Sequence, residues 1–197
     1  RSGVTTARTR AHTLKTPLIG VARLAALARP VAVSLAGTRS RTVLVASTDA
    51  CKGELFALWG SARSVVDCVS LSDNDEPGLW KRGVEEKDLT PEALMAAVKR
   101  KLSEGGGAAH WVAVGEGRQR YEAEWKKLPR AKELESPVSF SDHVQGRYIG
   151  QLVWEAYQAG LTREALDVHP RYIRASDAEL KLKAAFEFFE GDVFERK

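Results

Sequence analysis

Two β-rich runs, TVLVAST at 42–48 and ELFALW at 54–59, are separated by only five residues, DACKG, in which Asp, Lys and Gly are turn formers. A connection this short joins antiparallel strands, so the pair is predicted to be a β-hairpin. The fold class depends on what flanks it. Upstream, RSGVTTARTRAHTLK (1–15) reads as a helix in which Gly3, Ala7 and Ala11 recur every four positions. That spacing lines the small residues on one face and lets another backbone approach closely. Leu18, Ile19 and Val21 then read as a short buried strand with Gly20 marking its turn, and Ala22 to Ala28 as a helix that Pro30 stops. Helix, strand and helix within some thirty residues, followed by a hairpin, predict an α/β protein.

Downstream, 61–89 is expected to hold a short strand, VVDCVSL, and an exposed polar loop, SDNDEPGLWKRG. LTPEALMAAVKRKLSEGGG carries helix punctuation at both ends: Thr90 as N-cap, Pro91 at the first helical position, Glu92 in the first turn, and three glycines after the last. WVAVGEG is a strand entering a glycine turn. FSDHVQGRYIGQLVWEAYQAG is a second long helix, capped by Ser141 or Asp142 and closed by Gly160, with a stripe of Val144, Tyr148, Leu152 and Val153. HPRYIR is short and extended. The final DAELKLKAAFEFFEGDVFERK places Phe186, Phe189 and Val193 at helical spacing, an apolar face that needs a cover from the protein's own core or from a partner.

With 197 residues, 44% of them hydrophobic, the chain is long enough to bury a core as one domain or two small ones. No run approaches the roughly 20 apolar residues of a membrane span, and the Arg- and Thr-rich start is not a secretory leader, so a cytoplasmic protein is expected. Cys51 and Cys68 are too few for a secreted disulfide scaffold and are read as thiols. The net charge of +4 hides an asymmetry: residues 1 to 48 contain eight basic side chains and no acidic one. Such a segment is either a solvated face or a surface for phosphates or an acidic partner.

The 47–60 stretch, STDACKGELFALWG, brings Asp49, Cys51, Lys52 and Glu54 close together, yet no chemistry assembles around it. Cys51 has no histidine within the hairpin to hold it as thiolate, His12 being the nearest in sequence, and no G-x-S-x-G elbow occurs. His12, His110, His143 and His169 form no metal-binding pair. DNDEPG opens like a calcium loop, with Asp73 and Asp75 before Gly78, but Pro77 takes a ligand position and Val84 stands where the bidentate Glu belongs. Gly115-Glu-Gly117 is a lone G-x-G, either an anion-facing turn or a simple connection. The basic N-terminal part has no interleaved aromatic residues for stacking bases. No catalytic residue and no metal ligand is assigned.

Several of these segments, in order, resemble the TsaB family of bacterial tRNA threonylcarbamoyladenosine biosynthesis proteins, in the glycoprotease-like branch of the actin-like ATPase superfamily. PLIGVARLAALA is similar to the family's "P-hydrophobic-x-GVS-x-L-x-x-(L/M)A", and VLVASTDACKGELFAL to its "D-A-R-x-G-E-V-Y" hairpin. There Asp49, Ala50, Gly53 and Glu54 match, Cys51 replaces an Arg and Phe56 a Tyr. LTPEAL, WVAVGEG and HPRYIR match three further family segments, the last resembling "P-x-Y-L-R".

The resemblance implies an actin-like (ribonuclease H-like) two-lobed α/β fold. The first helix looks like the one following the family's "G-S-F-T-G-x-R", which implies that the first lobe's opening strands are absent from this chain. The implied division is 1–36 as the remainder of the first lobe, 37–140 as the second lobe, 141–160 as a long helix returning toward the first, and 161–197 as a C-terminal segment and tail. Catalytic relatives carry "GVNH-x-x-x-H", whose histidines hold a metal. Aligned on Gly20 and Val21, those positions are Arg23 and Leu27, neither able to coordinate as imidazole does.

The resemblance therefore implies a non-catalytic subunit. It would pair with the catalytic threonylcarbamoyltransferase and an ATPase subunit and meet tRNA through the complex, with ATP and metal on those partners and no cofactor of its own. The pairing surface would include Gly3, Ala7 and Ala11, which would equally allow a homodimer, while Asp49, Gly53 and Glu54 would form the hairpin motif. The alternatives are an active metalloenzyme of this branch, transferase or peptidase, and a basic RNA-binding module.

Overall fold

A computed structural model describes residues 2–37, 41–67, 84–104, 109–129, 132–139, 142–170 and 173. The 72–83 loop, residues 68–71 of VVDCVSL with Cys68, Ser141, Arg171, Tyr172, Arg174 and the Phe-rich tail lie outside these residues.

The hairpin forms as β1 (Val43–Cys51) and β2 (Glu54–Ser61), antiparallel and longer than the apolar runs alone. They are the centre of a four-stranded sheet of order β3-β2-β1-β4, in which β3 (Glu85–Leu89) is antiparallel to β2 and β4 (Trp111–Val114) is parallel to β1. Because successive strand side chains point to opposite faces, β1 divides its apolar residues between two cores. Leu44 and Ala46 join Leu58, Val112 and Val114 on one face, under α2 (Arg23–Ala36) and α3 (Ala62–Asp67). Val43 and Val45 join Leu55, Trp59 and Trp111 on the other, under α4 (Pro91–Glu104), where Trp111 stacks on Trp125 at 5.9 Å. Helices on both faces explain why TVLVAST is a continuous apolar run and not an alternating one.

In α4, the Ala93 N–H donates to Thr90 Oγ1 at 3.3 Å, Pro91 begins the helix, and Leu94, Met95, Val98 and Leu102 are buried. Thr90→Ala removes that cap and is expected to cost about 1 kcal/mol of stability, measured by urea denaturation.

Four readings of the sequence are corrected. Pro30 does not stop the helix; α2 runs through it to Ala36. A proline inside a helix costs about 3 kcal/mol, but ending there would expose Val31, Ala32 and Leu35, all buried. Burying the Val and Leu contributes about 1.5–3 kcal/mol each and outweighs the proline. Residues 18–21 form isolated bridges and no strand: Leu18 makes a two-way bridge with Arg163, its N–H donating at 2.9 Å and its carbonyl accepting at 3.1 Å.

Residues 65–67 of the expected VVDCVSL strand are helical, because Ser61 Oγ accepts from the Ser64 N–H at 3.0 Å and nucleates α3 as the chain leaves β2. Finally α7 (Gly146–Gln158) starts later than expected and has no side-chain cap. Asp142 is engaged elsewhere, accepting from Gln119 Nε2 at 2.8 Å. Two short helices, α5 (Glu116–Arg120) and α6 (Glu122–Trp125), precede it. Strand β3 was not anticipated: EEKDL lies at one edge of the sheet and is only partly buried, so its charged side chains reach solvent.

Candidate partner-docking site

The first helix, α1 (Ser2–Leu14), does not belong to the sheet layers. Arg8 fastens it to the 3-10 turn Ala165–Asp167, its Nε donating to the Ala165 carbonyl at 3.3 Å and its Nη2 to that of Leu166 at 2.9 Å. Beside it the Leu18–Arg163 bridge holds the chain between α1 and α2, and α7 packs against α2. Between these elements lies a groove of about 630 Å³. Gly3, Val4 and Ala7 of α1 form one wall, Leu18 to Leu24 the floor, and Ile149 of α7 with Val168, Pro170 and Ile173 the other side. Glu86 of β3 adds a carboxylate.

Gly3 and Ala7 are exposed on this groove, whereas Ala11 is only 6% exposed, being buried by the chain itself. The small-residue face open to another molecule is therefore its N-terminal half. Of the seven large apolar side chains exposed among the described residues, six lie on α1, on α7 or just after it: Leu14, Ile149, Trp154, Tyr157, Leu161 and Leu166. Trp154 stacks on Tyr157 at 6.0 Å between ring centroids. Apolar surface concentrated on one set of elements, while the sheet is sealed on both faces, is the pattern of an interaction site.

The hairpin end is polar and tied down. Lys52 and Gly53 have φ of +56° and +79°, as a type I′ turn requires, and Cys51 before them is also left-handed and exposed. Asp49 Oδ1 accepts from the Cys51 N–H at 3.2 Å and from the Tyr121 hydroxyl at 3.1 Å, and Oδ2 pairs with Arg120 Nε at 3.1 Å. The hydrogen bond with Tyr121, and then the charge of Asp49, push the exposed Arg120 guanidinium above its usual range. Glu54 faces Cys51 across the turn. Asp49 and Gly53 shape the bend. Tyr121 and Arg120 were invisible as partners of Asp49 in the sequence because some 70 residues separate them.

Close packing requires glycine at 115 and 117. A Cβ on Gly115, whose φ is +96°, would lie 2.1 Å from the Ser47 carbonyl oxygen and 2.7 Å from Leu27 Cδ2, and one on Gly117 would lie 2.6 Å from Ser47 Oγ. Leu27 is thus packed against the turn that follows β4, and Arg23, one helical turn earlier, pairs with Glu116 at 3.1 Å. The two positions aligned with the metal-holding histidines are a hydrophobic contact and an ion pair. Among the described residues no three His, Cys, Asp or Glu side chains come together as metal ligands would, and no helix is long and apolar enough to cross a membrane.

No family model and no curated protein matches the chain. Solved structures do. An uncharacterized protein from Pseudomonas aeruginosa described as similar to the peptidase YEAZ superposes with a TM-score of 0.52 at 19% identity, over 87% of this chain and 66% of that one. YeaZ from Pseudomonas aeruginosa superposes with a TM-score of 0.51 at 18% identity, over 86% of this chain and 66% of its own. The chain has the fold of YeaZ. That fold is the actin-like α/β fold expected from the sequence. This chain spans just under two thirds of the length of either YeaZ-like structure.

Proposed function

We propose that this chain is a non-catalytic scaffold subunit that pairs with the catalytic threonylcarbamoyltransferase when threonylcarbamoyladenosine is formed at position 37 of tRNA. The sequence resemblance to TsaB and the fold of YeaZ, another name for that protein, support the same reading. The observation that carries it is the pair Arg23 and Leu27. They occupy the positions where catalytic relatives hold metal, and they are engaged with Glu116 and Gly115 instead. A guanidinium and an alkyl chain offer no lone pair to a cation. ATP and metal then belong to the ATPase and catalytic subunits, and tRNA is met through the complex.

The second reading, an active metalloenzyme of transferase or peptidase type, would need a ligand set elsewhere in the chain. Elemental analysis of the purified chain is expected to find no stoichiometric zinc or iron; a tight one-to-one site would reject the scaffold reading. The basic-module reading is weakened because Arg8 and Arg29 have partners within the chain, Arg8 at the Leu166 carbonyl and Arg29 at Glu155, 2.7 Å away.

Co-expression with the catalytic and ATPase subunits of the same organism tests the proposal. A stoichiometric complex on size-exclusion chromatography, and tRNA modification that requires this chain, are expected. Elution of the chain by itself, together with steeply salt-dependent tRNA binding, would favour an RNA-binding module.

A further inference from the structure

We propose that the outer face of α7 is a stacking site for an unpaired nucleotide of RNA. Arg147, Gly150, Trp154 and Tyr157 follow one another at intervals of three, four and three, which sets them in one stripe along the helix. All four are exposed. Trp154 is 62% and Tyr157 55% exposed, although tryptophan in particular is mostly buried when it serves only to pack. The two rings are held against each other as a stacked pair, 6.0 Å between centroids. One turn before Trp154 the stripe has a gap: a Cβ at Gly150 would meet nothing within 4 Å, so not even the indole closes over it. That gap gives a flat ring room to lie beside the indole. Arg147 stands about 10 Å from Trp154 along the axis. Its guanidinium lies 4.5 Å over the Tyr148 ring and donates to the Tyr148 hydroxyl at 2.7 Å, which fixes its position and leaves other N–H groups for phosphate oxygens.

The stripe is separate from the groove beside α1. Ile149, the groove wall on α7, is five residues from Trp154 and so points about 140° away from it around the helix. The stripe also differs in chemistry. The groove is aliphatic, whereas the outer face of α7 offers planar rings, a guanidinium and, beside them, the exposed amides of Gln151 and Gln158. Aromatic rings that stack bases, with a cation at the backbone, are how proteins hold unpaired nucleotides. Glu155 is the only acidic residue in α7, and Arg29 pairs with it at 2.7 Å. In sequence the nearest acidic groups outside the helix are Asp142, which accepts from Gln119, and Glu164. The choice of RNA over a second protein rests on the pairing proposed above: with the catalytic subunit on the groove, the stripe stays open, and tRNA is the macromolecule left to meet it.

Fluorescence anisotropy of a dye-labelled, unstructured RNA of about twelve nucleotides, titrated with the full chain, tests the site. Binding with a shallow salt dependence is expected, because Arg147 neutralises one phosphate and stacking supplies the rest. Trp154→Ala and Gly150→Gln should each weaken it about tenfold, the first by removing the platform and the second by filling the gap, while Trp154→Phe keeps most of it. Thermal unfolding of the variants checks that the fold is intact, as expected for exposed positions. Absence of binding overturns the proposal. So does binding that survives Trp154→Ala, which would put the RNA elsewhere on the chain. Displacement of the RNA by the catalytic subunit overturns it too, since the stripe would then be a protein contact. If the RNA binds as expected and the catalytic subunit does not bind at all, the scaffold reading fails and the stacking site stands.

Discussion

Gly115→Ala is expected to destabilise the fold by about 2–5 kcal/mol, read by urea denaturation against the unaltered chain. Two costs combine. A φ of +96° is a conformation that L-residues rarely adopt, and the new methyl would lie 2.1 Å from a backbone carbonyl oxygen of β1. Flexible side chains can give way, but Ser47 is held in the sheet by pairing with Ala57, so the turn itself must move, and with it the Leu27 contact. Gly53→Ala is the control: its φ is +79° but a Cβ there meets nothing within 4 Å. Only the conformational cost remains, about 1–2 kcal/mol. Equal losses at the two positions would show that close approach at Gly115 is not what the glycine serves.

If the chain pairs with the catalytic subunit as proposed, Ala7→Arg is expected to weaken that pairing by about 30-fold or more, the effect of losing a central interface contact, while leaving the chain's own stability within about 0.5 kcal/mol because the residue is exposed. Titration of the partner by isothermal calorimetry, alongside thermal unfolding of the isolated variant, separates the two. Ala11→Arg should do the opposite, disrupting the fold first, since Ala11 is buried within the chain. Undiminished pairing by the Ala7→Arg variant would move the interface away from α1 and leave the exposed side chains of α7 as its next site.

Much of this was legible locally. The hairpin, α4 with its Thr90 cap, and β4 before its glycine turn are each specified by residues within a few positions of one another. Apolar period, turn chemistry and capping agree there, and the structure follows them. The errors share one cause. Pro30 breaks helices locally, but buried residues beyond it carry α2 onward. Asp142 is a good cap by type, but Gln119 claims its carboxylate. EEKDL has no apolar signal, because this strand is only partly buried at its edge of the sheet.

The candidate site divides along the same line. From the order of residues came the small-residue spacing of Gly3, Ala7 and Ala11, the polar turn around Asp49 and Gly53, and the absence of histidines at 23 and 27. Sequence alone also placed the chain in the actin-like α/β class through a series of short motifs. The fold then decided which of those residues can act. It buried Ala11, left Gly3 and Ala7 open, drew Ile149 and Val168 to the same groove, and joined Asp49 to Tyr121 across the molecule. Period and turn propensity are properties of neighbouring residues, so a sequence displays them. Exposure and non-local pairing depend on how the layers pack, and no short stretch of chain contains that.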